Sequence, residues 1–386
     1  MWTNKHHIMS RVAKQHRVVF VNFRQQNPLN FVRTARRNDP ATRVTLGNFW
    51  REPAVRHELP KLEVLDVWTP WLNFVGSGHR LRRKNEFERR VRVVGNWLRE
   101  QGITDAVLWV YHPGYGDSVK SIPHSLLLYD CVDEYTAFPE FKNNKTWIAE
   151  RERQLCAAAD VVACTAPSLF ESKQLLAPGR THFVHNVGDA EHFGKALDPA
   201  LQIPADLEAL PRPTFGFIGA VSDYKLNIDW LMQLARARPQ YTLVVVGPTG
   251  IADPSTDVGQ LRALPNVQLL GHREYATLPG YLKGFDVAFI PYRINDYTRA
   301  VFPIKFFEFL ASGRPLVISA LPAVRDYWSA VRVAETFDDF LRECDAALRD
   351  DTPEARERRL QLAGQNTWES RTNKLLGLVE KALARA

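Results

Sequence analysis

Short apolar runs rich in β-branched residues alternate with helical stretches through most of this 386-residue chain. This alternation is typical of βαβ units, which build parallel sheets covered by helices on both faces. The series breaks at a polar, proline-containing stretch over residues 197–213 and then restarts. The predicted strands are 16–22, 106–112, 125–130, 160–165, 181–186, 214–220, 241–247, 267–271, 286–292 and 315–320.

We therefore predict an α/β protein with two Rossmann-like, doubly wound domains that face a central cleft. The N-terminal domain covers residues 1–195, and the C-terminal domain covers residues 196–365. Residues 366–386 form a final helix, which we expect to cross back to the N-terminal domain. Ligands in such sheets bind beyond the carboxyl ends of the strands, so both domains should present these ends to the cleft. The apolar stripe of the final helix consists of Leu375, Leu376, Leu378, Val379 and Leu383.

The composition is that of an ordinary folded protein, with 45% hydrophobic and 24% charged residues. No segment reaches the roughly 18 apolar residues of a membrane-spanning helix, and the apolar run after the basic N-terminus is too short for a signal peptide. The cysteines lack the paired spacing of a zinc site and suggest no disulfide framework, which indicates a reducing, cytoplasmic compartment. They are Cys131, Cys156, Cys164 and Cys344.

Positive charge is concentrated in the first 100 residues, which hold 20 Lys+Arg and 8 Asp+Glu, whereas the rest of the chain is net negative. Such a basic region could contact anionic lipid or nucleic acid, or it could form a solvated helix face. No recognised nucleic-acid-binding motif accompanies it, so we expect no nucleic-acid partner. We expect peripheral association with the inner face of an anionic membrane. The basic runs contain Arg80, Arg82, Arg83, Lys84, Arg89, Arg90 and Arg92.

The most specific segment is PIKFFEFLASGRPLVIS at 303–319, where Lys305 and Glu308 stand three positions apart in a predicted helix that ends at Gly313. This spacing places both side chains on one helix face. A cation beside a helix N-terminus can bind phosphate, and a carboxylate one turn later can accept ribose hydroxyls. The alternative is an ordinary surface ion pair.

A second segment, TFGFIGAVSDYKLNIDWL at 214–231, predicts a buried strand that ends at Gly219, then a polar turn and a helix. Glycine allows a backbone to approach a phosphate closely, and Lys225 supplies a cation in the turn. Taken alone, this turn would be a plain strand-to-helix connection. The following strands end at Gly247 and Gly271.

These segments together resemble family 4 glycosyltransferases, which have the GT-B fold. The first segment is similar to the family's donor-site pattern P-x-K-x-x-E-[FY]-L-A-x-G-[KR]-P. The resemblance implies that Glu308 binds the donor ribose and that Lys305 contacts the donor's phosphates or sugar. The chain departs from the common pattern at Ala300, where many relatives have a second Glu, and at Ala220, where many have an Arg.

By the same resemblance the donor is a nucleotide-diphosphate sugar, consumed as a substrate. Neither a cofactor nor a metal is expected, because Lys, Arg and helix dipoles usually neutralise the leaving pyrophosphate in this fold. The loop at His272 and Arg273 would hold the base through backbone groups, although the Arg273 side chain is equally well read as a surface charge. The implied donor-binding residues are Gly219, Lys225, Gly247, His272, Arg273, Lys305 and Glu308.

In the N-terminal half, SLLLYDCVDEYTAF places Asp130, Asp133 and Glu134 at the end of a strand that should open on the cleft. Asp133 can orient or deprotonate an acceptor hydroxyl, the general-base role that an inverting enzyme needs. A helix N-cap is the alternative of equal weight. His112 ends a strand on the same edge and is a candidate acceptor contact, although a lone histidine more often satisfies a local hydrogen bond. The predicted catalytic residues are Asp133, Lys305 and Glu308, and the predicted acceptor-side residues are His112, Asp133 and Glu134.

Two further segments extend the resemblance. THFVHNVGDAEHF resembles the family's turn before the linker, in which Asn186, Gly188 and Asp189 would shape the backbone. Only residues 1–4 precede the first predicted helix, so either the first strand of the family is missing or the natural start lies upstream. His6 and His7 would then lie near the loop that faces the acceptor.

The run YDCVDE resembles bacterial polysaccharide and teichuronic-acid type glycosyltransferases. The predicted function is therefore transfer of a sugar from a nucleotide sugar to a glycan or lipid-linked acceptor, in bacterial cell-surface polysaccharide synthesis. The alternatives are another GT-B nucleotide-sugar enzyme, such as a 2-epimerase, and, less favoured, a basic nucleic-acid-binding protein. The family 4 resemblance favours retention of the anomeric configuration, whereas Asp133 as a base would allow inversion.

Overall fold

The computed structural model describes residues 3–25, 54–69, 79–250, 253 and 255–385. Arg80, Arg82, Arg83 and Lys84 lie outside the described side chains, which begin at residue 86 in their helix. In the described part of the chain, no helix is both long and apolar enough to cross a membrane. The four cysteines are buried free thiols.

The strands are β1 (Val18–Gln25), β2 (Ala54–Leu59), β3 (Leu62–Thr69), β4 (Val107–Val110), β5 (Leu126–Cys131), β6 (Val161–Cys164), β7 (Thr181–Phe183), β8 (Thr214–Ile218), β9 (Thr242–Val246), β10 (Val267–Gly271), β11 (Val287–Ile290), β12 (Leu316–Ser319) and β13 (Arg332–Ala334). The helices are α1 (Asn4–Val12), α2 (His79–Glu100), α3 (Lys145–Ala158), α4 (Pro167–Leu176), α5 (Ala190–Gly194), α6 (Ala205–Glu208), α7 (Ile228–Ala237), α8 (Gly259–Arg262), α9 (Leu278–Gly284), α10 (Asp296–Arg299), α11 (Ile304–Leu310), α12 (Phe337–Arg349), α13 (Pro353–Gln365) and α14 (Trp368–Leu383).

The C-terminal domain contains a six-stranded parallel sheet in the order β10-β9-β8-β11-β12-β13. The strand order reverses between β8 and β11, which is the switch point at which doubly wound sheets bind ligands. Both β8 and β9 are buried along their whole length. Parallel strands with helices on both faces must be apolar throughout, which explains why these segments read as continuous hydrophobic runs.

The N-terminal domain contains a four-stranded parallel sheet, β4-β5-β6-β7, and a three-stranded sheet, β1-β3-β2. Strand β3 pairs in parallel with β1 and antiparallel with β2. Every residue of β5 is buried. The polar residues that follow β5 therefore emerge at the carboxyl edge of the sheet, where a ligand can reach them.

Each of the ten predicted strands overlaps a strand of the structure. Strands β2, β3 and β13 are not among those predicted. The described side chains of β2 are exposed and mostly polar, and β13 has only three residues, so neither shows the apolar run on which the prediction depends. The GT-B prediction did not anticipate that the N-terminal strands would divide into two sheets.

The final helix, α14, packs on the N-terminal domain rather than on the domain that precedes it in sequence. The guanidinium of Arg371 donates to Asp130 Oδ1 at 3.0 Å, and both side chains are almost fully buried. Val379 packs with Leu126 and Leu128 of β5. The final helix therefore crosses back to the N-terminal domain, as the sequence predicts.

Candidate active site

Helix α11 carries Lys305 and Glu308 into the cleft edge of the C-terminal sheet. Pro303 is its N-cap residue, with an extended backbone and no side-chain cap hydrogen bond. The helix ends at Leu310 rather than at the predicted Gly313, which adopts a positive φ of 70° just beyond it. Glu308 is 8% exposed, and burial raises its pKa to about 7, against the opposing effect of the Lys305 charge.

Three glycines, Gly219, Gly247 and Gly271, lie side by side just beyond or at the ends of β8, β9 and β10. The Gly219 amide donates to Val246 O, and the Gly247 amide donates to Gly271 O, both at 2.8 Å. A Cβ at residue 219 would lie 2.3 Å from Cε of Lys305, and a Cβ at residue 247 would lie 2.0 Å from Gly219 O. Side chains therefore do not fit at Gly219 and Gly247, and the Lys305 side chain runs directly against Gly219. Gly271 instead has a positive φ of 72°, which favours glycine.

Lys225 lies on the same side of the cleft as Lys305. Its ammonium stands 4.9 Å from the ring centre of Tyr292, a cation–π arrangement. Burial lowers the pKa of Lys225, whereas the negative charge of Asp133 raises it. The structure thus brings a predicted donor residue close enough to a predicted acceptor residue for their charges to interact.

Asp133 is half-buried at the end of β5, on the N-terminal side of the cleft. Burial raises its pKa to about 6, while the Lys225 charge and a hydrogen bond from Tyr297 lower it. The N-cap of the following 3-10 turn, Tyr135–Ala137, is Glu134, whose carboxylate accepts from the Thr136 amide. The capping alternative for Asp133 is therefore wrong for this turn, and its carboxylate faces the opposite domain.

The structure places Glu134 and Asp130 in structural roles. Glu134 caps its turn and lies 3.6 Å from the buried ammonium of Lys173. Asp130 is fully buried against Arg371, so the expectation that it faces the cleft is wrong. Asp130 alternates in phase with Leu126 and Leu128, which pack with Val379 of α14, so its side chain lies on the sheet face that α14 covers.

The His112 ring is held locally. Its Nδ1 accepts from the Gly114 amide at 2.9 Å, and the ring stacks on Phe87 and meets Tyr135 edge-on. The contact of His112 with the acceptor stays a prediction. Its hydrogen bond from the Gly114 amide agrees with the alternative, in which the histidine satisfies a local hydrogen bond.

The His272–Arg273 loop follows β10, as the sequence predicts. The guanidinium of Arg273 donates to Asp206 at 2.7 Å and to the Tyr281 hydroxyl at 2.7 Å, so it links the loop to the interdomain segment. The His272 side chain is exposed. The backbone role predicted for both residues remains a prediction.

A cluster that the sequence analysis did not connect surrounds Glu308. Gly188 packs on the first turns of α11, and Asp189 accepts from the Tyr275 hydroxyl at 3.0 Å. The His7 ring stacks on Trp368 at 4.7 Å, with its Nδ1 3.9 Å from Asp189. Desolvation lowers the pKa of His7 to about 4. The turn motif at 186–189 is the sequence feature that points to this cluster, because it predicts a specific backbone turn that includes Gly188 and Asp189.

One arginine of the basic helix α2 makes its contacts within the protein. Arg90 pairs with Glu86 and lies over the rings of Phe23 and Phe87, at 4.7 and 5.3 Å. With 13% of its side chain exposed, Arg90 is poorly placed to meet a membrane, which corrects its inclusion in the basic surface. Arg92 is exposed.

Comparison with known proteins agrees with this architecture. Residues 212–350 match the family Glycosyl transferases group 1. A relative from Bacillus subtilis (strain 168), assigned to teichuronic acid biosynthesis as a glycosyltransferase, is 28% identical over 278 residues, which cover 68% of this chain and 68% of the relative. The matched family segment begins just before β8 and spans α11.

Solved glycosyltransferase structures share the complete fold. A trehalose-6-phosphate structure from E. coli with UDP-2-fluoro glucose has a TM-score of 0.73 at 10% identity, covering 97% of this chain and 95% of that one. Sucrose-phosphate synthase from Thermosynechococcus elongatus has a TM-score of 0.72 at 15% identity, covering 99% and 93%. The predictions of the GT-B fold and of a glycosyltransferase are confirmed.

Proposed function

We propose that this chain, which contains a group 1 glycosyltransferase domain within a GT-B fold, transfers a sugar from a nucleotide-diphosphate sugar to a glycan or lipid-linked acceptor. The relative assigned to teichuronic acid biosynthesis supports a role in bacterial cell-surface polysaccharide synthesis. The observation that carries the proposal is the arrangement of two elements on one side of the cleft, with Asp133 on the other side. These elements are α11 and the glycine edge, formed by Gly219, Gly247 and Gly271.

The donor lies on the C-terminal side in this proposal. Glu308, nearly buried beside the glycine edge, accepts hydrogen bonds from the ribose hydroxyls. Because the glycines carry no side chains, the diphosphate can approach their backbone closely. Lys305 and Lys225 supply positive charge to the departing nucleoside diphosphate, where such charge is most useful because negative charge develops there. The backbone at 272–273 holds the base.

The acceptor lies on the N-terminal side. The Asp133 carboxylate, with a pKa near 6, is ionised at neutral pH and can take a proton from an acceptor hydroxyl as that hydroxyl attacks the anomeric carbon. An inverting reaction needs such a base, whereas a retaining reaction does not. The anomeric configuration of the product therefore tests this assignment directly.

We also propose that the basic N-terminal half brings the enzyme to the inner face of an anionic membrane, where a lipid-linked acceptor would be found. Because Arg90 is engaged with Glu86 and aromatic rings, the test should use exposed charges. Replacing Arg92, which is exposed, with Glu should weaken binding to vesicles that contain 30 mol% anionic lipid at low salt. If the wild-type protein does not bind such vesicles, the membrane proposal fails and a soluble acceptor is indicated.

The first experiment identifies the donor. Thermal shift against a panel of UDP-, GDP-, TDP- and ADP-sugars should show one base that raises the melting temperature, because ligand bound only by the folded state stabilises it. That donor is then assayed for transfer to a glycan acceptor and for epimerisation at carbon 2, with and without EDTA. Transfer that is unchanged by EDTA supports charge neutralisation by lysines. Epimerisation without transfer would overturn the proposal.

A further inference from the structure

A chain of buried hydrogen bonds runs from the interior of the N-terminal domain to the start of α11. Arg371 of α14 donates to Asn4 Oδ1 at 3.3 Å, and Asn4 Nδ2 donates to Asn186 Oδ1. Asn186 Nδ2 then donates to the backbone carbonyl of Phe302 at 3.0 Å. The three side chains of this buried polar network, Arg371, Asn4 and Asn186, are at most 7% exposed. Each therefore depends on its protein partners for hydrogen bonding.

The two ends of the buried polar network determine how its amides are oriented. A guanidinium has only donors, and a backbone carbonyl only accepts. Asn4 must therefore turn its oxygen toward Arg371 and its amino group toward Asn186. Asn186 in turn presents its oxygen to Asn4 and its amino group to Phe302. Neither amide can flip without losing hydrogen bonds on both of its sides, so the network has a single orientation.

The network is anchored at Arg371. Its guanidinium donates to Asp130 Oδ1 of β5 and to the His185 carbonyl, each at 3.0 Å. A buried charge pair such as Arg371 and Asp130 cannot separate without a large cost in free energy. The first member of the network is therefore fixed to the N-terminal sheet.

At its other end, the network holds the segment that enters α11. Phe302 stands two residues before this helix begins. The His185 ring stacks on the Phe302 ring at 5.0 Å, and Gly188 packs on the Glu308 amide. Lys305 and Glu308 lie within two helical turns of Phe302. A displacement of Phe302 would therefore move both of the proposed donor contacts.

We propose that Asn4 and Asn186 are positioning residues for the donor, because they hold the start of α11 in the place from which its side chains meet the nucleoside diphosphate. The inference rests on the proposed function, in which Lys305 and Glu308 bind that donor. The same role follows for an inverting and for a retaining reaction. Since Asn4 belongs to α1 of the N-terminal domain, a residue on the acceptor side of the cleft helps to determine donor affinity.

Asn186→Leu and Asn4→Leu test this role, because leucine has the branched shape of asparagine but cannot form hydrogen bonds. UDP, GDP, TDP and ADP are titrated into the wild type by calorimetry, and the nucleotide that binds most tightly is the probe. We expect its Kd to rise about 10-fold in Asn186→Leu, as for loss of one buried hydrogen bond, and about 3-fold in Asn4→Leu, which acts through Asn186. In Asn186→Leu, KM for the donor should rise in parallel, while KM for the acceptor changes less than about twofold. Binding is expressed per folded molecule, measured by circular dichroism.

Asn266→Leu is the matched control. The Asn266 side chain donates to the carbonyls of Ala235 and Tyr241 at 3.0 and 2.9 Å, so the substitution removes amide–carbonyl hydrogen bonds of the same kind. Asn266 directly precedes β10, at the amino edge of the sheet, whereas the glycine edge lies at the carboxyl ends of the strands. This variant should lower the melting temperature but leave the Kd of the probe unchanged.

The double variant tests whether the two asparagines act as one unit. Its Kd should be no higher than that of Asn186→Leu alone, because Asn4 acts only through Asn186. Losses that multiply would show independent effects and overturn the inference. If Asn186→Leu does not fold, Asn4→Leu decides by the same comparison with the control.

The outcomes separate two failures. If the wild type binds none of the four nucleotides, or if Glu308→Gln binds the probe as tightly as the wild type, the donor assignment of the proposed function fails and the inference fails with it. If Glu308→Gln weakens binding but folded Asn186→Leu and Asn4→Leu keep the wild-type Kd, the donor assignment stands. The two asparagines then do not position α11, and the inference alone is overturned.

Discussion

Gly188 lies so close to the backbone of Glu308 that a Cβ on residue 188 would stand 2.6 Å from the Glu308 amide nitrogen. The turn that precedes the interdomain linker therefore packs directly on the helix proposed to bind the donor. No flexible side chain can move aside to relieve this contact, because the atoms involved belong to the main chain of α11.

Gly188→Ala should displace α11 and weaken donor affinity by on the order of 10-fold, because the methyl group pushes on the helix backbone. Donor titration by calorimetry measures the change. Gly377→Ala is the control, since nothing lies within 4 Å of a Cβ there and alanine favours the interior of α14. Equal donor affinity in the wild type and Gly188→Ala would contradict the prediction.

Donor affinity should depend on pH through Glu308. An ionised carboxylate accepts hydroxyl hydrogen bonds best, and its pKa in the free enzyme is about 7, so the affinity should fall up to about 10-fold for each pH unit below that value. Glu308→Gln should weaken binding by on the order of 10- to 100-fold at pH 8 and remove this pH dependence. Glu335→Gln, at an exposed position, should leave the pH profile intact. A profile that survives Glu308→Gln would assign the titration to another group.

The same substitution should stabilise the protein at high pH. The folded-state pKa of Glu308 lies above its ordinary value of 4.5, so the folded state binds more protons between these values and stability falls as pH rises from about 4.5 to about 7. Glu308→Gln should therefore raise the free energy of unfolding by at most about 3 kcal/mol above pH 7, and by much less at pH 5. Chemical unfolding at both pH values checks the sign. A lower stability at pH 8 would contradict it.

Asp133→Asn should reduce turnover by on the order of 10² to 10⁴ if the residue is the general base, with donor affinity nearly unchanged. Steady-state transfer assays at saturating donor measure the effect, and the acidic limb near pH 6 should disappear. Asp296→Asn removes an exposed carboxylate beside Tyr297 and should leave turnover unchanged. A product with retained configuration would remove the need for a base.

Arg371→Met should be strongly destabilising, by about 3–5 kcal/mol, because it leaves the buried Asp130 carboxylate without its counter-charge. The double variant with Asp130→Asn should recover part of this loss. Urea unfolding gives the comparison. Arg349→Ala breaks an exposed pair with Asp350 and should cause no measurable change. If both arginine variants behaved alike, burial would not be the cause.

The sequence predicted most of the strands, and it predicted that Lys305 and Glu308 share one short helix, because both depend on local patterns. Buried parallel strands are continuous apolar runs, and Lys305 and Glu308 share a short segment whose spacing fixes their common face. Contacts between distant segments could not be predicted in this way. Tyr297 and Asp133 are 164 positions apart, and each looks ordinary alone, since a tyrosine in a loop and an aspartate after a strand are common.

The errors have the same origin. Asp130 and Asp133 lie three positions apart at one strand end, yet Asp130 is buried against Arg371 of α14 whereas Asp133 faces Tyr297 of the opposite domain. Likewise, charge alone groups Arg90 with its neighbours in the sequence. Its stacking on Phe23 depends on how β1 and α2 meet in space, which the sequence does not reveal.

The position of α14 has a consequence for synthesis. Arg371 and Val379 complete the interior of the N-terminal domain, yet the ribosome adds them only after the whole C-terminal sheet. The domain that is translated first thus acquires its last buried partners at a late stage. Until then Asp130 lacks its counter-charge, and the apolar surface of β5 and β6 under the helix is exposed to water and available to chaperones.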